Sequence, residues 1–243
     1  MMIMSLSHLV LIHHRRVVLL MSESTILNIL GLDGLIHLWG NAGSGKTMFA
    51  VSLASEVSKY SRVEWINADG KKSFVNQLKK NVLAQSGHLE NIIVTFTKGH
   101  HELIHEIHSL AERLDDIALV VIDPITRVLD MARNDPILWG REIVEDVLPT
   151  LVGIIEKYNV DIVITSECRL LEESMNQAVH YNTIAKWVNH DLHITRDPTG
   201  LFSHVLSSKG DSEQETAILR MNDTGILNVL PTILSSTLEG GVY

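Results

Sequence analysis

Eight consecutive residues, Gly40-Asn41-Ala42-Gly43-Ser44-Gly45-Lys46-Thr47, have the types and spacing needed to hold a polyphosphate. They match G-x-x-x-x-G-K-[ST], the P-loop motif. Small residues let successive backbone N–H groups turn inward around phosphate oxygens. Lys46 is placed to reach the β- and γ-phosphates, and the Thr47 hydroxyl to hold Mg²⁺. A helix starting near Gly45 aims its positive end at the same anion, and Met48 completes the expected binding segment. This chemistry requires a strand before the loop and a helix after it. Leu35-Ile36-His37-Leu38-Trp39 is a short apolar run, and Phe49, Leu53 and Val57 recur at helical spacing over 48–60.

Two carboxylates complete the candidate set. Leu119-Val120-Val121-Ile122-Asp123 is an apolar strand ending in an acid, which suits Asp123 to the Mg²⁺ hydration shell beside Thr47. The competing reading is a turn or capping Asp before Pro124. Asn67-Ala68-Asp69-Gly70 closes another strand-like run, Val63–Asn67. An acid there lies at the C-terminal sheet edge and could polarise an attacking water, or it is an ordinary turn Asp before Gly.

The elements that must position these groups alternate. Strand-like runs at Leu35–Trp39, Val63–Asn67, Ile92–Phe96, Ile117–Ile122 and Asp161–Thr165 are separated by helical stretches at about 71–85, 100–114 and 138–158. This order predicts an α/β fold, a mainly parallel sheet with helices on both faces. Pro149 interrupts the stripe Ile143, Val147, Leu151, Ile155, and a kink is expected there. After residue 188, short runs at Leu192–Ile194, Phe202–Leu206, Thr216–Leu219 and Ile226–Val229 are split by turns at Asp197–Gly200 and Lys209–Asp211. They read as C-terminal antiparallel strands that extend the sheet.

With 243 residues, 45% hydrophobic, the chain suits one domain, expected over 25–243 after an N-terminal extension at 1–24. Met1–Leu20 is apolar but is broken by His13-His14-Arg15-Arg16. It fits neither a signal peptide nor the ~18 apolar residues of a spanning helix, so no membrane anchor is expected. An edge strand at Val17–Leu20 is the alternative, and Met21 is a second possible start. One cysteine, Cys168, leaves no internal disulfide and fits a reducing, cytoplasmic setting. The net charge of −9 argues against a strong nonspecific grip on nucleic acid over the whole surface.

His101-Glu102-Leu103-Ile104-His105 matches H-E-x-x-H, which puts two imidazoles on one helix face as zinc ligands require, with His108 three residues on. No third ligand is identifiable from the sequence. The plainer reading is an exposed polar helix face in a chain with 13 histidines.

The order of P-loop, Asn67–Gly70, Val120-Val121-Ile122-Asp123-Pro124-Ile125-Thr126 and Val163-Ile164-Thr165-Ser166-Glu167 resembles the RecA family. It is most similar to archaeal RadA/RadB recombinases and their paralogues, with KaiC-type ATPases as neighbours. The resemblance runs from about residue 30 to 230 and is specific at the P-loop and Asp123. It implies a RecA-type P-loop NTPase core that binds ATP and Mg²⁺ and hydrolyses ATP slowly. It also implies a role in homologous recombination and DNA repair. Members typically end the second strand in D-T-E-G with Glu as catalytic base, so Asp69 falls on that position, one methylene shorter. Lys46, Asp69 and Asp123 are then the catalytic set, residues 40–48 the nucleotide segment, and Thr47 with Asp123 the metal pair. Ser166-Glu167 stands where RadA-like proteins carry an amide and is closer to the KaiC-type T-S-E.

The resemblance also places single-stranded DNA at two loops. The first, near Arg127–Arg141, sets Arg127, Arg133 and Arg141 against Asp130 and Asp135. The second, Glu167–His180, sets Glu167, Glu172 and Glu173 against Arg169. Phosphate tracking needs the opposite charge balance, so weak single-stranded DNA binding by the chain alone is expected. No helix-hairpin-helix segment or F-x-x-A polymerisation segment is seen before Leu35. That favours a paralogue over a filament-forming recombinase. No arginine finger is evident, and in this family charge from a neighbouring subunit often completes the site, so the resemblance implies a recombinase or paralogue partner, or self-assembly. The alternatives are a KaiC-like signalling ATPase and a structural partner protein that binds ATP without turnover.

Overall fold

Five parallel strands alternate with helices through the first two thirds of the chain, as the hydrophobic runs require. The computed structural model describes residues 25–114, 116–126, 135–171, 175–178, 180–209, 212–222, 225 and 227–232. Strands β1 (Leu35–Gly40), β2 (Arg62–Asn67), β3 (Ile92–Phe96), β4 (Ile117–Asp123) and β5 (Asp161–Leu171) lie in the order β3-β2-β4-β5-β1. All neighbours in that order pair in parallel. On the other side of β1 come β7 (His190–Arg196), β8 (Phe202–Lys209), β9 (Ser212–Met221) and β10 (Leu227–Pro231). β7 is parallel to β1, and the rest are antiparallel, as the short C-terminal runs predict.

The side-chain alternation of these strands builds two cores. Ile36, Leu38, Leu119 and Val121 face one side, against α2 (Lys46–Val57) and α3 (Ser73–Ala84). Leu35, Val120, Ile122, Ile162 and Ile164 face the other, against α4 (Gly99–Leu110), α5 (Asp135–Glu142) and α6 (Leu148–Tyr158). A short helix α1 (Ile26–Leu30) precedes β1 and packs Leu27 into the first core, and α7 (Tyr181–Ile184) leads into β7. Burial on both faces explains why central strands such as β1 and β4 are nearly continuously apolar rather than alternating.

Three features differ from expectation. β5 continues past Thr165 to Leu171 and pairs antiparallel with β6 (Met175–Ala178), so the segment read as a second loop is largely a hairpin. The irregularity near Pro149 is a π-helical turn, Ile143–Val147, that ends just before Pro149 enters the first turn of α6. Proline lacks an N–H and its ring crowds the carbonyl four residues back; a wider turn there relieves both. Helix α4 stops at Leu110, short of the expected 114. The edge strand considered at Val17–Leu20, the turn residues Gly210 and Asp211, and Ile226 lie outside the described residues.

Candidate active site

The P-loop leaves β1 at Gly40, turns through 41–45 and enters α2 at Lys46. Glycine is required at two points. A Cβ on Gly40 would lie 2.1 Å from the Ile194 carbonyl oxygen, and Gly45 has φ +111°. Gly45 is the N-cap of α2 and provides no side-chain hydrogen bond, so the first N–H groups of the helix have no capping acceptor. Orphan donors at a helix start are an anion site. The Ser44 hydroxyl, buried beside them, also has no hydrogen-bond partner among the described residues. Asn41, Ala42 and Gly43 are exposed at the tip of the turn.

Lys46 is buried, and its ammonium donates to the carbonyls of Gly40 (2.8 Å) and Asn41 (2.9 Å). Burial lowers its pKa, while Cys168, Glu167 and Asp123 act to raise it. The Thr47 hydroxyl donates to Asp123 Oδ2 at 3.0 Å, and the Thr165 hydroxyl donates to the other oxygen, Oδ1. Both expected metal residues therefore meet, with a second threonine from β5 on the far side of the carboxylate. Asp123 is 6% exposed. Burial raises its pKa, the hydrogen bonds from Thr165 and Thr47 oppose that rise, Asp69 adds to it and Lys46 offsets it. An all-oxygen pair beside a phosphate cradle suits Mg²⁺, which takes one or two protein oxygens and completes its shell from phosphate and water.

Asp69 lies just beyond β2 and joins the same group. Its Oδ1 accepts from the Lys71 backbone N–H (3.1 Å) and from Asn67 Nδ2 (3.4 Å). Its Oδ2 is 2.6 Å from the Lys71 ammonium, which is also 3.9 Å from Glu167 Oε1. Lys71 was missed in the sequence; its signal was the cation two residues after the Asp69 carboxylate. Lys46, Thr47, Met48, Asp69, Lys71, Asp123 and Glu167 line one cavity of about 550 Å³.

A second cavity of about 320 Å³ shares Lys46, Thr47 and Met48 with the first and is walled by Phe202, Leu219 and Leu227. Its apolar wall beside a phosphate cradle suits a flat heteroaromatic group. Arg196 links its rim to the P-loop, donating to Gly43 O (3.3 Å) and to Gly200 O (2.7 Å). Arg196 too was missed, because it lies 153 residues from Gly43 in the chain.

Residues 22–148 match the AAA domain family, just over half of the chain. The chain belongs to that family. Among solved structures, that of the RadB recombinase is 20% identical, with a TM-score of 0.65, and the match covers 83% of this chain and 95% of that one. This likeness gives the fold alone: an α/β core with a mostly parallel sheet and antiparallel C-terminal strands. No curated protein matches the chain.

The expected DNA loops are only partly described. Arg127, Arg133, Glu172 and Glu173 lie outside the described residues. Arg141 is exposed and donates to Glu145 at 2.8 Å, so its charge is already paired. Among the described residues no helix is long and apolar enough to cross a membrane.

Proposed function

We propose that the chain is an ATP-binding recombinase paralogue of RadA/RadB type with slow Mg²⁺-dependent ATP hydrolysis, acting in homologous recombination and DNA repair. One observation carries the nucleotide chemistry: Thr47 and Asp123 meet at 3.0 Å under a P-loop whose helix start has no capping side chain. In this reading Lys46 neutralises phosphate charge, Thr47 and Asp123 hold Mg²⁺, and Asp69 positions the attacking water. The shorter acid at position 69 supports slow turnover. The fold shared with the RadB recombinase supports the recombination role, and the single cysteine supports a reducing, cytoplasmic setting. A protein partner or self-assembly supplies further charge to the site.

The Glu167 carboxylate at the end of the β5 core favours a second reading, a KaiC-like signalling ATPase that does not use DNA. A structural partner that binds ATP without turnover is the third. The discriminating experiment is the ATPase rate of the full chain with and without single-stranded DNA, alongside DNA binding as a function of salt. The proposal expects DNA-stimulated turnover and weak binding with a shallow salt slope, since each phosphate contact contributes about one unit. Turnover indifferent to DNA favours the signalling reading. Nucleotide binding without turnover favours the structural one.

A further inference from the structure

We propose that His100, His101 and Glu142 form a binding site for a divalent transition metal of the Zn²⁺ class, joining α4 to α5 away from the P-loop. The three ligand atoms lie within 4.8 Å of one another. His100 sits in the first turn of α4 and is 5% exposed; Glu142 is the last residue of α5. His100 Nε2 and Glu142 Oε2 are 3.7 Å apart, and neither has a hydrogen-bond partner among the described residues although both atoms are buried.

That orphaned pair is what points to an ion. A buried imidazole nitrogen and a buried carboxylate oxygen left unmatched are costly, and native structures rarely leave them so. Five other histidines among the described residues show the contrast. His37, His108, His190, His193 and His204 each sit at hydrogen-bond distance from a carboxylate. The His100–Glu142 separation is instead close to an edge of a zinc tetrahedron, roughly 3.3–3.5 Å for bonds of about 2.0–2.1 Å. His101 stacks obliquely on His100, with ring centroids 3.9 Å apart, and is exposed, so its ring is free to swing to the remaining distance. Trp139, buried behind His100 with centroids 6.2 Å apart, gives the site an apolar wall.

The donor set selects the metal. Two imidazoles with one carboxylate suit Zn²⁺ and its first-row neighbours, and are a poor set for Mg²⁺ or Ca²⁺, which prefer oxygen. The start of α4 adds positive potential, so the anionic Glu142 is the ligand that makes a dication tolerable there. The H-E-x-x-H spacing is not the device. His105 is exposed one turn away, and His108 is committed to Asp146 at 2.9 Å. Three protein ligands leave a fourth position for water.

The test is titration of the full, metal-stripped chain with Co²⁺, read by the visible absorption of tetrahedral cobalt, followed by competition with Zn²⁺. The expected result is one tight site, displaced by Zn²⁺ and indifferent to millimolar Mg²⁺. Glu142→Gln and His101→Ala each weaken it by at least about 100-fold, more than the loss of a supporting outer residue does. His105→Ala, His108→Ala and Lys46→Ala leave it unchanged. His101 is exposed, so its variant keeps the test clean if His100→Ala does not fold. No tetrahedral spectrum, or equal loss with His105→Ala, overturns the proposal.

Discussion

Thr165→Val isolates the second threonine on the buried carboxylate. Its hydroxyl donates to Asp123 Oδ1 inside a site where both residues are almost fully excluded from water. Valine keeps the shape and removes the donor, leaving one carboxylate oxygen unmatched. A hydrogen bond to a charged group contributes about 1.5–3 kcal/mol. For a chain of this length each kcal/mol moves Tm by about 2–4 °C, so Tm should fall by about 3–12 °C near neutral pH. The pH dependence has a definite sign. Burial holds the Asp123 carboxyl above its ordinary value of 3.8, and Thr165 pulls it back. Without Thr165 the folded-state pKa is higher still. A carboxyl with a raised folded pKa leaves stability intact below its unfolded value and lowers it as pH rises through the folded pKa. The gap between wild type and variant should therefore open from acid to alkaline pH. Thermal unfolding of the nucleotide-free chain across mildly acidic to mildly alkaline buffers measures it. An unchanged Tm at neutral pH, or a gap of constant size across the series, would refute the reasoning.

Four further outcomes can be measured at other contacts. Asp69→Asn should keep nucleotide affinity and lose turnover. Lys71→Ala should lower kcat by about 10²-fold if its ammonium stabilises charge at the phosphate, with affinity followed separately by fluorescent nucleotide. His37 is fully buried and bonds Ser166 Oγ and Asp191 Oδ1, both at 2.8 Å, so His37→Ala should cost about 2–6 kcal/mol by orphaning two partners, read by urea unfolding. Tyr181 is pushed up to about 12 by burial and then by its bond to Asp191, so stability should fall as pH rises from 10 toward 12. A spectrophotometric tyrosine titration should show a late component that Tyr181→Phe removes.

The cradle and the metal pair were legible because their chemistry is local or tied to strand ends. Glycines, Lys46 and Thr47 must be adjacent to work, and Asp123 must end an apolar strand. Strand positions followed for the same reason: runs buried on both faces are continuously apolar, and β1 and β4 cover the predicted runs with one residue added at the C-terminal end. What stayed hidden depends on pairing across the sheet. Thr165 reaches Asp123 because β5 lies beside β4, and Arg196 reaches Gly43 because β7 lies beside β1. The His37–Ser166–Asp191 network crosses three strands, with partners 129 and 154 residues apart. The β5–β6 hairpin was hidden because its residues carry no clear apolar alternation or two-residue turn signal.

The function proposed for this chain rests on a P-loop that binds and turns over Mg-ATP. Phosphate release by the full chain at saturating ATP, compared between wild type and Lys46→Ala with Mg²⁺ present, tests it most directly. The expected result is slow Mg²⁺-dependent release by the wild type and none above background by the variant. Equal release by the two proteins would contradict it.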